Sequence, residues 1–118
     1  MADPSADPEC LFCRIVAGDV PATLVRQTDR VVAFRDIDPK APTHVLVIPK
    51  EHVPSLNEAT DAAQIGRLML VAAQIAKTEG IAEEGYRTVV NSGANAGQTV
   101  FHLHLHLLGG RRLSWPPG

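Results

Sequence analysis

The sequence predicts an α+β fold, in which a single antiparallel sheet carries one long and one short helix. Two observations support this prediction. Apolar residues recur with helical spacing along one long segment, and several short β-branched runs are joined by connections too short for parallel crossovers. The chain has 118 residues and two cysteines. This length is enough for one domain whose core forms without disulfides.

The predicted elements follow one another in a simple order. A short helix is expected over residues 10–17. The long helix is expected over residues 61–79, where apolar residues repeat along one helical face (Ile65, Leu68, Met69, Ala72, Ile75, Ala76). Five strands are indicated by β-branched and apolar runs between turn residues (22–27, 31–35, 44–49, 87–91, 101–108).

The composition is that of a soluble globular protein, with 45% hydrophobic and 20% charged residues. A net charge of −2 argues against nucleic-acid binding through a broad basic surface. No apolar run approaches the ~20 residues of a membrane-spanning helix. Residues 1–9 are acidic, contain proline and lack the features of a secretory signal. We therefore expect a disordered lead-in followed by one domain over residues 10–118, in the cytoplasm.

Histidine alternates strictly with leucine in His102-Leu103-His104-Leu105-His106-Leu107. Alternate residues of a strand share one face, so three imidazoles would line one face while the leucines enter the core. Three alternating histidines among the five in the chain are hard to attribute to chance. Two interpretations fit them: a metal site, or nucleophilic attack on phosphorus by a neutral imidazole.

The loop before these histidines favours the second interpretation. Asn91 and the segment Gly97-Gln98-Thr99-Val100 offer amides, a hydroxyl and a run of backbone N–H groups. Gly97 lets the backbone approach a ligand closely, and successive N–H groups form a concave anion site. A metal site needs none of these features, whereas a phosphate site needs them all.

These residues resemble the histidine triad (HIT) family, whose motif is His-φ-His-φ-His-φ-φ with φ apolar. His102 through Leu108 match the motif at every position. The chain is similar to the Hint branch, the purine nucleoside phosphoramidases, in several further segments (residues 36–50, Asn91-Ser92-Gly93, Gly97-Gln98-Thr99-Val100, Gly109-Gly110-Arg111 and Trp115-Pro116-Pro117-Gly118). The resemblance covers residues 10–118 and implies a HIT-like fold.

The resemblance implies a hydrolase of purine nucleoside 5′-phosphoramidates, such as AMP-lysine or AMP-NH2, that forms a nucleotidyl-histidine intermediate. His104 would be the nucleophile, His102 would orient it and His106 would contact the phosphate. His44 would support His104. Thr99 stands where the family usually has serine and would relay a proton to the departing amine. No cofactor would be required for catalysis.

The resemblance also implies a pocket for a purine nucleotide. The phosphate would be held by the loop and the triad (Gly97, Gln98, Thr99, Val100, His104, His106). Asp36 would bind the ribose hydroxyls, and Asn91 would lie close to the sugar and phosphate. The base would lie among four apolar side chains (Leu11, Phe12, Phe34, Ile37). By residue type alone, Phe12 and Phe34 are more often core residues than base platforms.

Cys10 and Cys13 form a C-x-x-C pair with two interpretations. A thioredoxin-like redox site would need a preceding strand within a βαβ unit, which the N-terminal segment does not provide. Family members with this pair commonly bind structural zinc. The resemblance therefore implies a tetrahedral zinc site made of Cys10, Cys13, His52 and His102. His102 would then serve both the metal and His104.

Two other functions remain open. One is a dinucleoside polyphosphate hydrolase of the same family, against which the compact size and the Trp115 tail argue. The other is a nucleotide-binding scaffold without turnover, against which the intact triad argues. Trp115 lies beside two prolines near the C-terminus. By resemblance, this tail reaches across a twofold homodimer towards the partner's site.

Overall fold

The computed structural model describes residues 6–118. The helices and strands, in chain order, are α1 (Leu11–Val16), β1 (Leu24–Gln27), β2 (Val31–Arg35), β3 (Thr43–Pro49), α2 (Ala62–Thr78), β4 (Tyr86–Val89) and β5 (Leu105–Gly109). All paired strands are antiparallel and form one sheet in the order β1-β2-β3-β5-β4. The α+β prediction is confirmed.

The main core lies between α2 and one face of the sheet. Leu103, Leu105 and Leu107 project from that face, and each is at most 1% exposed. They pack with the apolar side of the helix (Leu68, Val71, Ala72, Ile75, Ala76). The expectation that these leucines lie beneath the long helix is therefore confirmed, and their burial stabilises the sheet–helix pair.

Both ends of α2 are closed by local hydrogen bonds. At the start, the Asp61 carboxylate accepts from the backbone N–H of Ala63 at 3.0 Å. At the end, Gly80 takes a left-handed conformation with φ +78°. The N–H of Ile81 then donates to the carbonyl of Ala76 at 3.0 Å, which turns Ile81 back into the core. No helix within residues 6–118 has the length and apolar character to cross a membrane.

The last strand is shorter than the sequence predicted. Regular pairing with β3 begins at Leu105, whereas the prediction began at residue 101. The preceding backbone leaves the ladder, because the N–H of Leu103 donates instead to the carbonyl of Val53 at 2.6 Å. His102 and His104 therefore lie in an irregular segment that leads into the strand, and His106 lies within it.

A second, smaller apolar cluster lies on the opposite face of the sheet (Cys10, Phe12, Cys13, Val32, Phe34, Leu46, Ile48). The ring of Phe12 lies edge-on against the rings of His102 and His104, with centroids 6.0 Å and 5.2 Å away. These histidines therefore lie on the α1 side of the sheet, while the intervening leucines lie on the α2 side. The alternation persists although the regular strand does not.

The predicted disordered lead-in overlaps the described residues only in part, since residues 1–5 lie outside them. Residues 7–10 differ from that expectation because they form a hydrogen-bonded turn. The N–H of Cys10 donates to the carbonyl of Asp7 at 3.0 Å, and the N–H of Glu9 donates to the Asp7 carboxylate at 2.9 Å. This turn leads directly into α1.

Candidate active site

His104 is held through one of its ring nitrogens, and among residues 6–118 no hydrogen bond engages the other. Its Nδ1 atom lies 2.7 Å from the backbone carbonyl oxygen of His102. A carbonyl only accepts, so Nδ1 carries the proton, and in the neutral ring Nε2 keeps the lone pair. Residue 102 therefore orients His104, as expected, but with its backbone carbonyl and not with its ring. The arrangement provides what a nucleophile needs at Nε2.

His106 is fixed by His44. The backbone N–H of Lys40 donates to Nδ1 of His44 at 3.0 Å, so the His44 proton lies on Nε2. That proton is donated to Nδ1 of His106 at 2.9 Å. His106 therefore carries its own proton on Nε2, where it can be donated to an anion. Burial lowers the pKa of His106 to about 4 and also lowers the pKa of His44, so both rings are neutral at pH 7.

The contact of His44 differs from the one that the sequence predicted. We expected His44 to support His104, but its ring bonds to His106. The rings of His104 and His106 lie 5.1 Å apart, so His44 reaches His104 through His106. In the β3–β5 register His44 lies opposite Leu108, which shares a face of β5 with His106, whereas His104 precedes that strand. The Asp36 carboxylate also lies 3.4 Å from Nε2 of His44.

An open cleft of about 380 Å³ lies in front of His44 and His106. It brings together three residues predicted for the nucleotide, namely Asp36, Asn91 and His106. Further lining residues were not predicted (Asp38, Lys40, Val89, Leu108). Lys40 contributes through its backbone N–H, which bonds to His44. The residue type gives no indication of such a backbone contact, so the sequence could not predict it.

The loop before the triad presents backbone donors. Gly97 takes a left-handed conformation with φ +85°, and the N–H groups of Gly97 and Gln98 close the preceding turn. Within the part of the chain that the structure describes, no hydrogen bond engages the N–H of Thr99 or Val100. Thr99 is also exposed. Two adjacent unpaired N–H groups form a suitable anion site.

The side chain of Gln98 is occupied differently from the expectation that it holds phosphate. Its amide oxygen accepts from the N–H of Gly93 at 2.9 Å. Its amide nitrogen donates to the carbonyls of Pro54 and Val100 at 2.8 Å and 3.1 Å. Both amide protons are therefore used, and a phosphate contact would require one of these bonds to break. Gln98 therefore fastens the loop that precedes the triad.

The four side chains expected around the base lie in two environments. Phe12 and Phe34 are buried and meet edge to face, with ring centroids 5.4 Å apart. Leu11 is 44% exposed and Ile37 is fully exposed. A ligand from solvent can therefore reach Leu11 and Ile37 directly, whereas the rings of Phe12 and Phe34 are covered.

Four residues predicted as zinc ligands, Cys10, Cys13, His52 and His102, converge into what we call the Cys/His cluster. Their ligand atoms all lie within 4.8 Å of one another. Nδ1 of His52 lies 3.3 Å from Nδ1 of His102 and 3.2 Å from Sγ of Cys13. Tetrahedral zinc, with bonds of about 2.3 Å to sulfur and 2.0–2.1 Å to nitrogen, separates its ligands by about 3.3–3.8 Å. The residues fit that metal.

The protonation of the cluster also suits a cation. Nε2 of His102 donates to the carbonyl of Pro49 at 2.8 Å, which leaves the Nδ1 lone pair directed at the sulfurs. Burial lowers the pKa of His102 to about 4 and raises the pKa of the Cys13 thiol to about 11. A bound cation would displace the thiol proton. Backbone N–H groups of Asp7 and Cys13 point at the sulfurs of Cys13 and Cys10.

Known proteins share this fold and much of this sequence. The chain matches the HIT domain over residues 17–113. It is 49% identical over 107 residues to the purine nucleoside phosphoramidase of Escherichia coli (strain K12), covering 89% of this chain and 90% of that relative. It is 51% identical over 112 residues to an uncharacterised HIT-like protein of Synechococcus elongatus, covering 93% and 97%. A solved structure of a HIT family hydrolase from Legionella pneumophila superimposes with a TM-score of 0.91 at 47% identity, covering 93% of this chain and 100% of that one.

The five-stranded sheet and its histidine cluster thus define a histidine triad protein, and the chain belongs to the HIT family. Within that family it belongs to the Hint branch.

Proposed function

We propose that this hydrolase of the HIT family cleaves the P–N bond of purine nucleoside 5′-phosphoramidates, such as AMP-lysine or AMP-NH2. The observation that carries the proposal is the fixed tautomer of His104, whose Nδ1–H is held by the carbonyl of His102 at 2.7 Å. Its Nε2 lone pair is thereby available to attack phosphorus. The name of the Escherichia coli relative, a purine nucleoside phosphoramidase, supports the class of substrate.

In the first step, the Nε2 lone pair of His104 forms a bond to the α-phosphorus as the P–N bond breaks. The electrons of that bond stay with the amine nitrogen, which takes the Thr99 hydroxyl proton while the exposed hydroxyl takes a proton from solvent water. The nucleotidyl group is then carried by His104. In the second step, water attacks the same phosphorus, the nucleoside monophosphate leaves, and Nε2 regains its lone pair.

Charge on the phosphate oxygens would be stabilised by fixed donors. These are the Nε2–H of His106 and the backbone N–H groups of Thr99 and Val100. Such donors need no reorganisation during the reaction, so these steps require no cofactor. Gly97 and Gln98 would shape the loop that carries them.

The rest of the nucleotide would lie along the cleft. Asp36 would bind the ribose hydroxyls, because its carboxylate lines the same cleft as Asn91 and His106. The base would contact Leu11 and Ile37 at the surface, above the buried rings of Phe12 and Phe34.

Zinc bound by the Cys/His cluster would act structurally, as a cross-link between α1, the His52 segment and the triad segment. It would take no part in the two chemical steps. Metal analysis of the purified, thiol-reduced protein tests this. About one equivalent of zinc is expected, and less than about a tenth of an equivalent would contradict it.

We also propose that the chain works as a cytoplasmic homodimer through its C-terminal tail. Arg87 donates to the carbonyl of Ser114 at 3.0 Å and lies 5.8 Å from the ring of Trp115. The tail is therefore held along β4, while 79% of Trp115 remains exposed and open to a partner. Light scattering should give twice the mass of the chain, and a monomer would contradict the proposal.

The decisive experiment traps the intermediate. Adenosine 5′-phosphoramidate labelled at phosphorus should give a labelled protein on rapid quenching, and His104→Ala should give none while still binding AMP. Rates on a diadenosine polyphosphate measured in parallel should be much lower. A higher rate on the polyphosphate would favour the other hydrolase activity. Tight AMP binding with no turnover of either compound would favour a scaffold.

A further inference from the structure

We infer that the Cys/His cluster positions the nucleophile, because Phe12 and His102 transmit its geometry to the ring of His104. The inference rests on the proposed function, since it assigns a reaction to His104. It goes beyond a structural role for the metal, because it makes occupancy of the cluster a determinant of the chemical step.

The first connection runs through His102. Its ring is fully buried, with Nε2 bonded to the Pro49 carbonyl and Nδ1 3.4 Å and 3.5 Å from the sulfurs of Cys10 and Cys13. The carbonyl of the same residue accepts the Nδ1–H of His104 at 2.7 Å. The contacts that anchor the His102 ring therefore also fix the position of the residue, and a shift of the residue would displace the carbonyl that sets the His104 tautomer.

The backbone at this point is held by the buried Leu103 side chain and not by the sheet. Regular pairing of β5 with β3 begins only at Leu105, so residues 102–104 are outside the sheet ladder. The N–H of Leu103 is anchored on the carbonyl of Val53, one residue after the cluster ligand His52. The segments that carry His52 and His102 are thus joined by this backbone bond as well as by the cluster. A metal would hold together two segments that the sheet does not join here.

The second connection runs through α1. Phe12 lies between the two cysteines, and its buried ring contacts the flank of His104 with centroids 5.2 Å apart. The helix has six residues, which is too short to be stable by itself. Its position therefore depends on what its cysteines bind and on the contact of Phe12 with Phe34. Ligation of both cysteines would keep the Phe12 ring against the nucleophile.

Phe12 and His102 are thus positioning residues, since neither needs to touch the substrate. With the cluster loaded, the His104 ring keeps its Nδ1–H on the carbonyl and its lone pair on Nε2. With the cluster empty, the ring can reorient and the lone pair lies on the wrong nitrogen for part of the time. The cleft contacts of Asp36 and Asn91 lie elsewhere, and only the Leu11 contact on α1 would move with the cluster, so substrate binding should change much less than kcat.

The test compares the zinc-loaded full chain with the same protein after chelation and after zinc is added back. We expect kcat on adenosine 5′-phosphoramidate to fall about tenfold on chelation, with KM within about twofold. Long-range ¹H–¹⁵N spectra at pH 7.5 should show a single His104 tautomer in the loaded protein and a mixture in the metal-free protein. Added zinc should restore both readouts.

Two variants complete the experiment. Cys10→Ser/Cys13→Ser keeps a hydroxyl where the Cys10 side chain caps α1, and it should behave like the chelated protein without recovering on addition of zinc. Phe12→Leu keeps all four ligands and removes the ring contact, so its kcat should fall while its zinc content stays at one equivalent. If the metal-free protein loses its fold, Phe12→Leu still tests whether the ring contact with His104 controls kcat.

A folded metal-free protein with unchanged kcat and an unchanged His104 spectrum would overturn the inference. So would full activity in Phe12→Leu combined with full activity in the double cysteine variant. Failure of the zinc-loaded protein to hydrolyse the phosphoramidate would instead refute the proposed function. In that case the His104 spectra would still test whether the cluster controls the tautomer.

Discussion

His44 and His106 share a hydrogen bond in which Nε2 of His44 lies 2.9 Å from Nδ1 of His106. The Lys40 backbone N–H donates to the other nitrogen of His44, so the direction of the bond is determined. A backbone amide thereby decides which nitrogen of His106 carries a proton. The Nε2–H donor of His106, which faces the cleft, is therefore fixed by a backbone group two hydrogen bonds away.

We predict that His44→Phe lowers kcat about ten- to hundredfold, because His106 loses the partner that fixes its tautomer. Phenylalanine keeps a ring of similar size in a buried position, so the fold should be retained. Steady-state kinetics on adenosine 5′-phosphoramidate measures the effect, with circular dichroism as the control for folding. A folded variant with the parent's kcat would refute this role.

Stability should fall as the pH falls from about 6.5 towards 4. Burial lowers the pKa of folded His106 to about 4, whereas an unfolded histidine has a pKa of about 6.5. Between these values the unfolded chain binds the proton and the folded chain does not, so acid favours unfolding. The contribution is complete above pH 6.5. His106→Gln should therefore lose less Tm than the parent between pH 7.5 and 5, and equal losses would contradict the prediction.

Arg111 should act as a positioning residue for the same hydrogen-bonded chain. Its guanidinium donates to the carbonyl of Lys40 at 2.8 Å, on the residue whose N–H engages His44. Arg111→Met should lower kcat about fivefold, the equivalent of one hydrogen bond of about 1 kcal/mol. Arg112→Met is the matched control, since it removes an equal charge from the neighbouring exposed side chain. Equal effects of the two variants would point to charge alone.

Activity should survive the replacement of Thr99 by serine but should depend on a hydroxyl at this position. Thr99→Ser keeps the hydroxyl and removes the methyl group, so kcat should equal or exceed that of the parent. Thr99→Val keeps the shape and removes the hydroxyl, so kcat on a phosphoramidate with an alkylamine leaving group should fall about tenfold or more. An unchanged rate in the valine variant would exclude the proton relay. Because Thr99 is exposed, neither change should affect folding.

Periodic features of this fold could be predicted from the sequence. The helical repeat of α2 and the alternation of leucine with histidine both survive in the structure, because burial on one face imposes a period on the residues themselves. The start of the last strand was predicted wrongly, at residue 101, whereas the strand begins at Leu105. No residue type there reveals that Leu103 bonds to Val53, a partner 50 positions earlier in the chain.

The sequence by itself determined the inventory of the site: the three alternating histidines, the Gly97–Val100 loop segment and the four residues of the Cys/His cluster. Only the tertiary structure decided which atoms meet. In the structure His44 bonds to His106, the Gln98 amide bonds within its own loop, and the carbonyl of His102 accepts from His104. The reason is that tautomer and lone-pair direction depend on backbone groups, which every residue shares and no sequence distinguishes.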